Sequence, residues 1–339
     1  MKRSSDTGRL IATIILMITL ALAGVMMAAC KGGTEETDEK ELFVIGFSQL
    51  GSESDWRLAN TKSMMDTFTN DKGYELIIQN AKQQQDNQFS AIRSFILEDV
   101  DLIIIAPTVE EGWENVLREI HDAGIPVIII DRSVAVWDTN LFLTNVGSDF
   151  LRQGQMAIEW LESQPVNPDT GCLKILHLQG TYGATAQIQR TRALEEGVQA
   201  HPEWYIASQL YGDFTEAKGY EVMTEYLSNR DNRDIDIIYS ENDNMTFGAM
   251  RALDEAGITY GEDGQVKIIT FDATKKALQY CMDGMISVCV ECNPMHGPVV
   301  EDLISRYRAG ESIPRHIFVD ETCFTRDTLT QEIIDGREY

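Results

Sequence analysis

Short runs rich in Val and Ile, with no polar alternation, recur along this chain and alternate with helical stripes. Runs of that kind are parallel strands buried on both faces by helices. Five of them end on polar side chains. Val44 to Phe47 gives way to Ser48, and Val127 to Ile130 to Asp131 and Arg132. Ile237 to Tyr239 leads through Ser240 and Glu241 to Asn242 and Asp243. Lys267 to Phe271 ends on Asp272, and Ile286 to Val290 on Glu291. Ligands of open α/β sheets sit outside the carboxyl ends of the strands. Side chains far apart in sequence are therefore candidates for one cleft.

The stripes between the runs have helical spacing. Leu58, Thr61, Met65 and Phe68 form the first within Ser54 to Asn70, and Lys72-Gly73 stops it. Tyr74 to Asn80 reads as a strand. Phe89, Ile92 and Ile96 mark the next helix, followed by a strand from Leu102 to Ala106. Trp113, Val116, Leu117 and Ile120 mark a third helix, ahead of the strand at Val127. A second series begins near Leu173. Its strands at Leu173 to Leu178, Tyr205 to Leu210, Ile235 to Tyr239 and Val266 to Phe271 alternate with helices near Thr185 to Ala200, Thr215 to Ser228 and Asn242 to Ala256. Right-handed crossovers in such series build parallel sheets with helices on both faces. Leu141 to Val146 is expected to cross between the two sheets. The chain of 339 residues exceeds the usual size of one core. The fold class is thus α/β: two doubly wound parallel-sheet lobes joined by a multi-strand hinge, with a cleft between them.

The first residues form a targeting segment. Lys2, Arg3 and Arg9 precede an uncharged stretch from Leu10 to Ala29, then Met27-Ala28-Ala29-Cys30. A basic start, an apolar run and small residues before a cleavage point describe a secretory signal. Cys30 after two alanines resembles a bacterial lipobox, with Met27 where leucine is commoner. An uncleaved spanning helix is the alternative, since about 20 apolar residues suffice to cross a bilayer. Either way the body lies outside the cytoplasm. Residues 1–29 are read as a lipoprotein signal and 30–41 as a polar, acidic tether. Losing the signal, with three basic residues and one acidic, takes the formal charge from −26 to −28. That excludes a broad electrostatic grip on nucleic acid.

Apart from Cys30, five cysteines remain: Cys172, Cys281, Cys289, Cys292 and Cys323. An odd number without regular spacing is no disulfide framework. Cys289 and Cys292 make a C-x-x-C within a strand, where residues three apart point to opposite faces, roughly 10 Å from each other. They read as buried small hydrophobes. No metal or cofactor site is expected. The chain has no G-x-S-x-G, H-E-x-x-H or phosphate-loop motif. Asp131 and Asp272 could be posed as a glycosidase pair. Arg132, however, would hold its neighbour ionised and leave no evident general acid. Asp231 to Asp236 lacks the glycine of a calcium loop.

Four segments carry a resemblance: Ile45 to Arg57 (IGFSQLGSESDWR), Ile125 to Ser133 (IPVIIIDRS), Leu178 to Thr185 (LQGTYGAT) and Glu241 to Met245 (ENDNM). They resemble the type I periplasmic sugar-binding proteins, and among them the galactofuranose binders of bacterial ABC importers. The likeness covers Leu42 to Leu303. It implies a monomeric, lipid-anchored binding protein that delivers a monosaccharide to permease subunits and has no reaction of its own. A sugar-sensing lipoprotein serving a chemoreceptor or sensor kinase is the alternative, as is a pyranose, pentose or inositol ligand. The implied lobes are 42–145 with 293–318, and 146–292 with 319–339.

Sugars offer vicinal hydroxyls and an apolar C–H face. Planar Asp, Asn and Arg groups meet two hydroxyls at once, and aromatic rings cover the C–H face. The resemblance assigns hydroxyl contacts to Asp131, Arg132, Arg190, Asn242 and Asp272. It gives Trp56 a stacking role and Arg57 a hydroxyl, with Ser48 and Phe214 as further contacts. Glu291 is a further expected ligand contact; it and Ala106 replace a glutamine and an asparagine of the ribose binders, which argues against ribose. Asp243 is read as a possible cap for the helix after it.

Overall fold

The computed structural model describes residues 42–339; the signal, the tether and Cys30 lie outside the described residues. Two six-stranded sheets organise this unit. The first contains β1 (Phe43–Gln49), β2 (Tyr74–Asn80), β3 (Leu102–Ile105), β4 (Val127–Ile130), β5 (Thr144–Gly147) and β11 (His316–Phe318). Its order is β11-β5-β4-β3-β1-β2, with every pair parallel. The second contains β6 (Leu173–Gln179), β7 (Trp204–Tyr211), β8 (Ile237–Ser240), β9 (Lys267–Asp272), β10 (Val288–Glu291) and β12 (Cys323–Phe324). Its order, β12-β10-β9-β8-β6-β7, repeats the first, except that the short β12 runs antiparallel.

The helices of the first half are α1 (Asp55–Thr67), α2 (Gln85–Leu97) and α3 (Glu114–Asp122), with α9 (Gly297–Arg308) returning to it late in the chain. Successive strand residues point to opposite faces, and the apolar runs fill both. Ile103, Ile105, Val127 and Ile129 pack with Ile92, Phe95, Trp113 and Leu117 of the α2–α3 layer. Their neighbours Leu102, Ile104, Ile128 and Ile130 pack with Met64 of α1 and Val300, Leu303 and Ile304 of α9. The second sheet is covered in the same way. Helices α4 (Phe150–Glu162) and α5 (Thr185–Ala200) cover one face. On the other lie α6 (Glu216–Ser228), α7 (Asp243–Ala256) and α8 (Lys275–Met282), with the short α10 (Gln331–Gly336) beyond.

Half of the segment expected to cross between sheets, Leu141 to Val146, instead belongs to a strand of the first sheet. β5 pairs with β4 on one side and β11 on the other, which satisfies its backbone groups inside the first sheet. The chain leaves that sheet only at residues 148–149. It passes between the sheets again at 292–296 and at 319–322. The sequence offered a nearby partner for Thr144–Gly147 in β4 but not the second one, because β11 lies about 170 residues later.

Candidate functional site

A cleft with about 310 Å³ of empty space, open solvent at its mouth included, lies between the carboxyl ends of the two sheets. Glu53, Ser54, Trp56, Arg57, Asp131 and Arg132 line it from the first half. Phe150, Ala186, Arg190, Phe214, Asn242 and Asp272 line it from the second, and Cys292 from a crossing segment. The two halves also touch around it. Asp55 N donates to Asn244 Oδ1 at 3.1 Å, Ser133 N to Thr185 Oγ1 at 2.8 Å, and Glu110 N to Gly183 O at 3.0 Å. This is a closed arrangement.

The first turn of α1 positions two side chains. Ser54 accepts from Arg57 N at 3.1 Å and so caps the helix. Trp56 donates its indole N–H to Cys292 O at 2.7 Å, tying α1 to the second crossing. Arg57 lies over the Trp56 ring at 4.6 Å. Its Nε donates to Glu53 Oε1 at 3.0 Å and its Nη2 to Asp131 Oδ2 at 2.6 Å. Its Nη1 and the second oxygen of Glu53 are buried without a hydrogen-bond partner.

Asp131 and Arg132 come directly after β4. Burial works against the Asp131 carboxylate, but Arg57 and Arg132 outweigh it and hold the group below its ordinary range. Arg132 is pushed down to about 10 by burial, with Asp131 opposing. Its Nη1 donates to Thr108 O, and its guanidinium faces the Phe214 ring at 5.2 Å. Burial also disfavours charge on Arg57, yet Asp131 and Glu53 together raise its pKa.

Phe214 reaches the cavity because residue 180 has no side chain. A Cβ on Gly180 would lie 1.9 Å from the Phe214 ring. Phe214 itself has φ 60°, preceded by Asp213 at 52°. Asp131 at 64° and Asp272 at 111° likewise occupy the left-handed region. Each such non-glycine residue costs roughly 1–3 kcal/mol. Three cavity-lining residues therefore hold strain that the surrounding sheets sustain.

Asn242, rather than Asp243, caps α7. Its Oδ1 accepts from Met245 N at 2.9 Å, and its Nδ2 donates to Phe214 O at 3.0 Å. One amide N–H of Asn242 remains for the cavity. Asp243 turns inward to accept from Thr270 Oγ1, Thr274 N and Thr274 Oγ1, each at 2.8 Å. The capping expectation for Asp243 is thereby corrected: an Asn one residue earlier, already in extended backbone, reaches the orphan N–H first. Asp272 lies at the end of β9 and is pushed well above its ordinary range. Burial comes first, then the nearby Asp243 charge, with Arg190 opposing.

Arg190, in α5, is almost fully buried. Nε and Nη2 donate to Gln153 Oε1 at 3.0 and 2.7 Å, and Nη1 donates to Glu241 O. Its guanidinium lies 4.6 Å from the Phe271 ring and 5.2 Å from that of Phe150.

Eight of the residues expected from sequence thus surround one cavity: Trp56, Arg57, Asp131, Arg132, Arg190, Phe214, Asn242 and Asp272. Ser48 and Glu291 lie outside its lining. The Ser48 side chain faces α2, where Gln88 Nε2 approaches its Oγ at 3.5 Å. Glu291 pairs with Arg337 and accepts from Thr322 N at 3.1 Å. Glu53, Ser54, Phe150, Ala186 and Cys292 were missed. Glu53 stood within the most specific segment, four residues before an arginine, and that spacing was the available signal. Among the described residues, no cluster of His, Cys, Asp and Glu could hold a metal ion. Cys172, Cys281, Cys289, Cys292 and Cys323 are free thiols.

The lining carries three guanidinium groups, Arg57, Arg132 and Arg190, and three carboxyl groups, Glu53, Asp131 and Asp272. Asp272 is held toward its neutral acid, and with Trp56, Phe150 and Phe214 beside them this mixed set of donors and acceptors suits a polyhydroxylated ring.

Residues 45–295 match the family described as periplasmic binding protein domain. The galactofuranose-binding protein of Escherichia coli (strain K12) is 36% identical over 296 residues, 85% of this chain and 90% of that protein. A solved galactofuranose-binding protein superposes with a TM-score of 0.81 at 34% identity, covering 87% of this chain and 98% of the other. The periplasmic component of the arabinose ABC transporter of Shewanella sp. ANA-3, solved with α- and β-L-arabinofuranose, gives a TM-score of 0.80 at 36% identity. That match covers 87% of this chain and 95% of the other. The chain belongs to the periplasmic binding protein family, and it is a binding protein rather than an enzyme.

Proposed function

We propose that this protein is the solute-binding component of an ABC sugar importer and takes a furanose, with galactofuranose as the best candidate. The observation that carries the reading is the cavity itself. Its wall brings guanidinium donors, carboxyl and amide groups and three aromatic rings together around one space. A neutral sugar hydroxyl is both donor and acceptor and pairs with polar groups of either kind. The furanose assignment draws on the relatives, two of whose names specify galactofuranose and one arabinofuranose.

Asp131, Arg132, Arg190, Asn242 and Asp272 are assigned hydroxyl contacts, joined by Glu53 and Arg57. Trp56 and Phe214 cover the C–H face. The lobes 42–145 with 293–318 and 146–292 with 319–339 close on the ligand about the crossing segments. Ligand bridging both halves favours the closed form by its differential affinity, and closure is what a permease reads. Family membership supports a location outside the cytoplasm, and lipidation of Cys30 provides the tether.

Calorimetric titration with galactose tests the ligand. Galactose solutions contain a minor furanose fraction, so a fitted stoichiometry far above one total sugar per protein is expected. Unit stoichiometry would show that the pyranose is the ligand. Metabolic labelling with a fatty-acid analogue tests the anchor, with label expected on the wild type and lost in Cys30→Ser.

A further inference from the structure

We infer that Glu321 is a positioning residue that holds Arg190 in its cavity-lining pose through the amide of Gln153. This rests on the proposed sugar-binding role of Arg190 and adds a residue that does not line the cavity.

Glu321 lies in the third crossing segment and is mostly buried in the hinge. Its Oε1 accepts from Ser148 Oγ at 2.6 Å, in the first crossing, and from Asn293 N at 2.9 Å, in the second. One carboxylate oxygen therefore ties all three crossings together. Its Oε2 accepts from Gln153 Nε2 at 2.7 Å. Gln153 lies on α4 and is buried. The same Nε2 also donates to Glu291 O at 3.1 Å, in the strand that enters the second crossing.

An amide has one donor end and one acceptor end, and the carboxylate decides which faces which way. Ionised Glu321 only accepts, so it holds the Gln153 NH₂ toward the hinge. The Gln153 oxygen is then presented to Arg190, where it takes both Nε and Nη2. The remaining donating nitrogen is fixed by Glu241 O, and the guanidinium plane lies against Phe271 and Phe150. Close packing of the two helices leaves the group little freedom. A Cβ on Gly154 would sit 2.4 Å from Ala193 Cβ, so α4 and α5 approach closely beside Arg190. The chain of contacts runs hinge, Glu321, Gln153, Arg190, cavity. Rearranging the crossings alters the hold on a group facing the ligand.

Glu321→Gln keeps the size of the side chain and removes one acceptor. Its amide cannot accept from Ser148, Asn293 and Gln153 at once, which frees the Gln153 amide to turn. In the full-length protein, furanose affinity should fall on the order of tenfold or more, the scale of a hydrogen bond to a charged group. In nitrogen-15 spectra, the Arg190 Nε–H signal should lose its slow exchange. The reciprocal double variant Gln153→Glu with Glu321→Gln reverses donor and acceptor along the chain. It should recover part of both readouts, because Glu at 153 accepts from Arg190 and from the new amide, while the bond that Gln153 Nε2 gives to Glu291 O is lost.

A merely structural role for Glu321 predicts no such rescue. Unchanged affinity together with an unchanged Arg190 signal in Glu321→Gln would overturn the inference, as would a double variant no better than the single. If Glu321→Gln does not fold, a folded double variant with a slowly exchanging Arg190 supports the coupling, and an unfolded one overturns it. Should the wild type bind no furanose, the Arg190 signal still decides the coupling, and only the sugar reading fails.

Discussion

Arg57 and Asp131, from a helix start and a strand end 74 residues apart, meet in a 2.6 Å ion pair with almost no exposure on either side chain. Glu53 completes the set by taking Nε of the same guanidinium. Removing one partner of a buried pair leaves the other uncompensated, which typically costs about 3–5 kcal/mol. Asp131→Ala is therefore expected to abolish sugar binding and also to lower the unfolding midpoint, while the protein still melts cooperatively. Calorimetric titration and thermal melting of the same sample check both. Retained affinity would mean that the pair is only a structural clamp.

Gly180 bears on the site through Phe214. Gly180→Ala forces the aromatic ring away from a Cβ that would otherwise overlap it. Overpacking of this kind costs about 1–3 kcal/mol. Affinity is predicted to fall at least as much as that stability loss implies, because Arg132 also loses its aromatic partner. An affinity unchanged within error would place Phe214 outside the binding surface.

Asp272 gives binding a pH dependence. Burial first, then the Asp243 charge, hold its pKa well above the ordinary carboxylate range. A sugar hydroxyl donating to the ionised form lowers that pKa in the complex. Affinity is therefore expected to climb as pH rises and to level off above the pKa of the free protein. Asp272→Asn should bind more weakly and without this slope. A wild-type affinity that improves on acidification would show that the protonated acid is the binding form.

Asp243 acts on stability instead. Burial raises its pKa from 3.8 to about 6, despite the Thr270 and Thr274 donors. Folding thus favours the protonated acid. That contribution is fully present below about 3.8 and is lost as pH rises through about 6. Denaturant melts between pH 4 and 7 are predicted to show wild type losing stability relative to Asp243→Asn across that window. A difference constant with pH would contradict the assignment.

The central parallel strands were legible because their apolar runs are buried on both faces and carry no alternation, unlike the edge strands β2 and β7. The expected strand at Val127–Ile130 and the expected helix at Thr185–Ala200 coincide with β4 and α5. Asp131 and Arg132 were legible for the same reason, since they sit immediately past the end of a buried strand. Strand-end position does not fix direction, however. Ser48 also ends a run, yet its place in the pleat turns it to α2, beside Gln88. Glu291 was claimed by Arg337, a partner near the end of the chain that nothing in the local sequence announces. Phe150 read as the apolar start of a helix, and only the approach of α5 sets it beside Arg190. β11 and β12, three and two residues long, are too short for any periodicity to register.

The central claim is that the cavity selects a furanose ring. The direct measurement is calorimetric titration of residues 42–339 with two anhydro-galactitols, one locked as a five-membered and one as a six-membered ring. Neither can change ring size in solution. The account predicts saturable binding of the five-membered ring at one per protein, and at least tenfold weaker binding of its isomer. Equal or stronger binding of the six-membered ring would contradict it.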